Sequence, residues 1–169
     1  MIRISKLTDY GIILLARFVT KTDSPMISKK TGRPILNARD LADETRIPFP
    51  TVGKILKCFS RAELLVSHRG VKGGYELSRN AGEISVVQMI EALEGPVAIT
   101  ECSMVDHHNC ELGLGCPVRE NWLKINAVML DSLRKLSLED LAQPLREKAG
   151  YSTSRAAPAV ESLADCCLP

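Results

Sequence analysis

The chain has 169 residues, of which 25% are charged and 45% apolar, the composition of one globular domain with room for an arm and a tail. No apolar run approaches the ~20 residues of a membrane helix, and the start, Met1-Ile2-Arg3-Ile4-Ser5-Lys6, lacks the apolar stretch of a secretion signal, so a cytoplasmic protein without a membrane partner is expected. Residues 1–80 carry 15 Lys and Arg against 7 Asp and Glu, and residues 81–169 carry 7 against 13, an asymmetry that points the front half toward a polyanion.

Residues 8–21 read as a helix capped by Thr8, with Asp9 in the first turn, where a negative charge suits the helix dipole. Ile12, Leu15, Phe18 and Val19 fall on its buried face. Residues 22–34 hold Asp23-Ser24-Pro25 and Lys29-Lys30-Thr31-Gly32-Arg33-Pro34 and read as a mobile basic loop. Asn37 caps a short helix over 38–45 with Leu41 and Ala42 inward, and Arg46-Ile47-Pro48 break it. A second helix runs from near Pro50 to about residue 62. Its inner face is Val52, Ile55, Leu56 and Phe59, and Thr51, Lys54, Lys57 and Arg61 line the opposite face. Two short helices joined by a tight turn, the second basic on its outer side, form a helix-turn-helix pattern.

A β-hairpin follows directly. Residues 64–68 and 75–78 read as strands around the glycine-rich turn Arg69-Gly70-Val71-Lys72-Gly73-Gly74. Helix-turn-helix plus hairpin is the winged-helix arrangement, in which the second helix enters the major groove and the wing meets phosphate or the minor groove. Ser85 caps a further helix to about Leu93, ended by Glu94-Gly95-Pro96, and residues 99–117 are irregular. Pro117 opens a long helix to about Leu136 with the apolar stripe Val118, Trp122, Ile125, Met129, Leu133 and Leu136, which wants a partner helix. Ser137-Leu138-Glu139-Asp140 starts a last short helix ending at Pro144, and a Ser-, Ala- and Pro-rich tail that reads as disordered follows. The fold class is therefore mainly α with a small β-hairpin: a winged helix-turn-helix over 1–80, a loop and dimerisation helix over 81–144, and a tail over 145–169.

Six cysteines in a chain read as cytoplasmic favour metal or redox chemistry over disulfides. Cys102, Cys110 and Cys116 share one loop, spaced by seven and five residues, neither the paired spacing of a zinc ribbon nor that of bacterial ferredoxins. Three thiolates on one loop can wrap a soft centre (zinc, copper(I) or an iron–sulfur cluster) with a fourth ligand from elsewhere. His107 and His108 lie in the same loop and are rival ligands. Cys58 reads as a core residue and Cys166-Cys167 sit in the tail. Nothing assembles a nucleophile with its base or a phosphate-binding glycine loop, so no enzyme activity is expected.

Several segments together carry a family resemblance. They are Arg3-Ile4-Ser5-Lys6-Leu7-Thr8-Asp9-Tyr10-Gly11, the wing residues Arg69-Gly70 and Gly73-Gly74-Tyr75, Ile90-Glu91-Ala92-Leu93-Glu94-Gly95-Pro96, Thr100-Glu101-Cys102, Cys116-Pro117-Val118-Arg119 with Asn121-Trp122, and Ser137-Leu138-Glu139-Asp140-Leu141. In this order they resemble the iron–sulfur winged-helix repressors typified by IscR and NsrR, and look closest to the branch that regulates SUF-type cluster assembly. The resemblance implies a homodimer on operator DNA and an iron–sulfur cluster, [2Fe-2S] or [4Fe-4S], held by Cys102, Cys110 and Cys116. It implies an acidic fourth ligand from the partner subunit at the position of Asp9, since the histidine that IscR-type members use is Arg119 here. DNA contacts are expected from Thr51, Lys54 and Lys57 on the reading helix and from Arg69 and Lys72 on the wing. The position that helps IscR-type members choose operators is Gly53 here, and the basic loop is longer than usual. An NsrR-like nitric-oxide sensor and a zinc- or thiol-based winged-helix regulator are the alternatives.

Overall fold

Ser5, rather than Thr8, starts the first helix. The computed structural model describes residues 4–21, 24, 26–70, 73–100, 103 and 115–143, and in it α1 spans Lys6–Thr20 with the Ser5 hydroxyl accepting the Thr8 N–H at 3.2 Å. Lys6 and Leu7 are good helix formers, so the helix begins before the predicted cap. Thr8 thereby lies inside the first turn, fully buried. Leu14, Leu15 and Phe18 turn into the core, with Val19 half-buried at its edge.

The helix-turn-helix follows the sequence pattern closely. α2 spans Ala38–Thr45, and Asn37 Oδ1 caps it by accepting the Asp40 N–H at 2.8 Å. Arg46 turns the chain in the left-handed region, at φ 56°, and Pro48 leads into α3, Phe49–Arg61. Val52, Ile55, Leu56 and Phe59 are all fully buried. β1 (Leu65–His68) pairs antiparallel with β2 (Gly74–Leu77), from Leu65 opposite Leu77 to His68 opposite Gly74. Strand alternation turns Leu65 and Leu77 to the core and sets Val66, His68 and Glu76 on the other face.

The basic segment, expected to be a mobile loop, is instead a ribbon tied to the hairpin. The buried Ser24 hydroxyl donates to the carbonyls of Met26 and Ile35. Ile27 bridges Pro34, and Ser28 N–H bonds the Arg33 carbonyl at 2.9 Å. Leu36 then exchanges both backbone hydrogen bonds with Tyr75, at 2.9 and 2.8 Å, so that the ribbon lies along the free edge of β2. Turn-forming composition hid this because the pairing partner is distant in the chain.

A 3-10 turn at Ala81–Glu83 leads to α4, Val86–Glu94, where Ser85 and Gln88 form a reciprocal cap. α5 spans Arg119–Arg134, two residues after the predicted start at Pro117, and α6 spans Leu138–Ala142 behind the cap Ser137. Backbone bonds from Val86 N–H to the Leu136 carbonyl and from Leu138 N–H to the Ile84 carbonyl stitch the end of this region to the start of α4. The core lies among α1, α3, α4, the hairpin and α6. α5 packs on α4 but buries only Asn126 among its own residues. Its stripe is partly covered at Met129 and Leu133 and open at Val118, Trp122 and Ile125, with Val128 68% exposed beside them. The tail expected over 145–169 lies outside the described residues.

Candidate DNA interface and sensor site

α3 is held by its apolar face, which leaves Lys54, Lys57 and Arg61 exposed and Thr51 half-buried on the outer side. Arg69 is exposed at the start of the hairpin turn, and Lys72 lies outside the described residues. Among the described residues neither Lys54, Lys57 nor Arg69 makes an ion pair, whereas Lys21 pairs with Glu44 and Lys135 with Asp131. Gly53 stands between these side chains with open space where a Cβ would be. The hairpin follows α3 directly and packs on it, so the basic helix face and Arg69 at the start of the turn belong to one packed unit.

The expected sensor residues fall on two elements. Asp9 is exposed on the first turn of α1, and its carboxylate makes no hydrogen bond or ion pair with the described residues. Cys116 is a free, half-buried thiol at the entrance to α5, its carbonyl accepting the Arg119 N–H at 3.3 Å. Cys102, Cys110, His107 and His108 lie outside the described residues. The described residues contain no group of three or more His, Cys, Asp and Glu placed to hold a metal. Cys116 is a half-buried free thiol, a donor suited to a soft centre, and Asp9 is a harder donor whose carboxylate has no partner among the described residues.

Three side chains that the sequence did not single out organise these parts. Glu94, at the end of α4, accepts hydrogen bonds from the Ser5 N–H at 3.1 Å and from the Thr8 hydroxyl. The Thr8 bond, assisted by Ser5, holds its carboxyl below the usual glutamate range against the opposing effect of burial. Asn126, the buried residue of α5, accepts the Ile99 N–H at 3.1 Å and so anchors the start of the cysteine segment. Glu76 lies buried between Thr31 and His68. The contacts of Glu94 with α1, of Asn126 with Ile99 and of Glu76 with Thr31 join segments far apart in sequence, and no local pattern announces them. Gly11 shows why α1 bears on the reading helix: a Cβ there would meet Leu93 at 2.5 Å and Phe59 of α3 at 2.8 Å.

A helix-turn-helix with a basic outer face, followed by a hairpin with a cation at its turn, defines a winged-helix DNA-binding protein. Residues 4–144 match the Rrf2 family, described as "Iron-dependent Transcriptional regulator". The HTH-type transcriptional regulator NsrR of Oceanobacillus iheyensis is 26% identical over 138 residues, covering 82% of this chain and 88% of that protein. The HTH-type transcriptional regulator IscR of Pectobacterium atrosepticum is 28% identical over 102 residues, covering 60% of this chain and 61% of that protein. The solved structure of CymR, the global cysteine regulator of B. subtilis, shares the fold with a TM-score of 0.62 at 24% identity, over 84% of this chain and 97% of that one. The chain belongs to the Rrf2 family and is a DNA-binding transcriptional regulator, not an enzyme. Among the described residues no helix is long and apolar enough to cross a membrane.

Proposed function

We propose that the chain acts as a homodimer that reads operator DNA with α3 and the hairpin, and that its occupancy of DNA responds to an iron–sulfur cluster. Cys102, Cys110 and Cys116 of one subunit and Asp9 of the other would hold it, and the resemblance of the sequence segments supports SUF-type cluster-assembly genes as the target. Such a cluster supplies a centre that oxidants, nitric oxide or iron shortage can disturb, its carboxylate bond being harder and weaker than its thiolate bonds.

The observation that carries this reading is the placement of Asp9. Its carboxylate points outward without a partner among the described residues, on a helix whose next turn touches α3 through Gly11 and Phe59. Asp9 held by a second subunit fixes α1, and Asp9 released frees it. Because α1 bears on the reading helix, the two states seat α3 differently. A dimer must match half-sites about 34–36 Å apart, and a coupling of about 1–3 kcal/mol gives a 5- to 150-fold change in affinity.

Iron and acid-labile sulfide, measured per chain on protein purified without oxygen and accompanied by a visible spectrum, test the proposal. Stoichiometric iron and sulfide are expected, with Asp9→Ala losing both faster at an unchanged far-ultraviolet circular dichroism spectrum. Zinc, or no metal, would overturn the cluster and leave a thiol- or zinc-based regulator. Equal cluster retention in Asp9→Ala would remove Asp9 from the ligand set.

A further inference from the structure

The DNA interface leaves one buried ionisable group unexplained. Glu76 of β2 lies on the hairpin face turned away from the core, yet its side chain is only 6% exposed. The ribbon over residues 27–34 supplies its hydrogen bond: the Thr31 hydroxyl donates to Glu76 Oε2 at 3.0 Å. On the other side His68 Nε2 of β1 stands 3.3 Å from Oε1, buried and off the line a hydrogen bond needs. One carboxylate thus joins the ribbon to β2 and stands against β1 without a hydrogen bond to it. Arg33 reinforces the junction, donating to the Leu77 carbonyl and to Asn80 Oδ1, each at 3.0 Å.

Burying a carboxylate is unfavourable unless hydrogen bonds and charge compensate it, and an apolar side chain of similar volume usually serves stability as well or better. Stability is therefore a poor reason for Glu76. Position is a better one. A two-stranded hairpin is marginal by itself, and here its turn must carry a cation to a fixed place. His68 immediately precedes Arg69. Thr31 ties Glu76 to the ribbon, Leu36 just beyond the ribbon pairs with Tyr75 of β2, and the β1–β2 pairing carries that placement to His68, the point from which the turn projects.

We propose that Thr31 and Glu76 are positioning residues for DNA binding: a polar clasp that holds the wing in the orientation that presents Arg69 to DNA. The proposal rests on the reading of the hairpin as a DNA-contacting wing. A loosened wing spends only part of its time in the competent orientation, and apparent affinity falls by that fraction.

The test uses the full-length protein and a duplex carrying a site that the wild-type chain selects from a random-sequence pool, with affinity followed by fluorescence anisotropy. Thr31→Val removes the hydroxyl at an exposed position and keeps the volume, and Thr31→Ser restores the hydroxyl. Thr31→Val is expected to weaken binding about tenfold and to reduce the salt slope by about one, with Thr31→Ser near wild type. Glu76→Leu is expected to weaken binding similarly while melting at or above the wild-type temperature. If the clasp acts by placing Arg69, Thr31→Val costs nothing further in an Arg69→Ala background. Wild-type affinity in both Thr31→Val and Glu76→Leu, with Arg69→Ala weakened, would overturn the clasp and keep the wing. Additive losses would overturn it in favour of direct contact by the ribbon. An Arg69→Ala variant that binds like wild type would overturn the wing reading, and the clasp with it.

Discussion

Glu94 shows how much a single side chain can decide at the start of this fold. It receives a backbone and a hydroxyl hydrogen bond from the first turn of α1, the turn that carries Asp9. The Thr8 bond favours the charged form and lowers its pKa below the ordinary 4.5. A carboxyl lowered in the folded state binds fewer protons there than in the unfolded chain. Its contribution is therefore fully present above pH 4.5 and is lost as pH falls through the lower folded value. Glu94→Gln is expected to melt below the wild type at neutral pH, with the gap closing as pH drops below 4.5. The effect is modest because the carboxylate is exposed. Thermal melts from pH 7 to pH 3 check it, and a gap that stays constant over that range would exclude the assigned role.

At the scale of elements, legibility in the sequence tracked the distance between partners. The inner face of α3 was readable because Val52, Ile55, Leu56 and Phe59 recur at helical spacing and meet the core together. The caps Asn37, Ser85 and Ser137 were readable because each bonds a backbone N–H three residues on. Thr8 misled because Ser5, three residues earlier, can make the same bond. The ribbon over 27–34 misled because its fastening residues, Thr31 and Arg33, bond groups more than forty positions away. Of the candidate site, the exposed cations of α3 were legible as one side of an amphipathic helix, whereas Glu94, Asn126 and Glu76 make their contacts only through tertiary structure. α3 then supports a functional expectation. Lys54 is exposed on that outer face and is free of ion pairs among the described residues, so Lys54→Ala should weaken operator binding and reduce the salt slope by about one if the side chain meets phosphate. Titrations at several salt concentrations measure both, and an unchanged affinity and slope would take Lys54 out of the interface.

The parts combine at the scale of the whole molecule through α5. This helix packs on α4 along one side, yet Trp122 and Ile125 are 38% and 49% exposed and Val128 is 68% exposed. A contiguous apolar face of this kind marks an interaction surface, and a second copy of α5 would present the same stripe by symmetry. Cys116 sits at the N-terminal end of this stripe, beside the exposed Val118. A dimer formed on α5 would therefore draw the entrance of the cysteine segment toward the subunit boundary, the arrangement that Asp9 from the other subunit requires. The same dimer would supply the second reading helix. Two linked half-sites bind far more tightly than one, commonly by 10²–10⁴-fold, and the gain vanishes when the link is cut. Ile125→Glu together with Val128→Glu places two charges on the open face without touching the buried Asn126. The double variant is expected to sediment as a folded monomer where the wild type is a dimer, to lose about 10²-fold or more in operator affinity, and to retain less iron per chain. A wild type that sediments as a monomer at tens of micromolar, or a variant that stays dimeric, would place the subunit contact elsewhere and with it the route by which Asp9 could reach the cysteines.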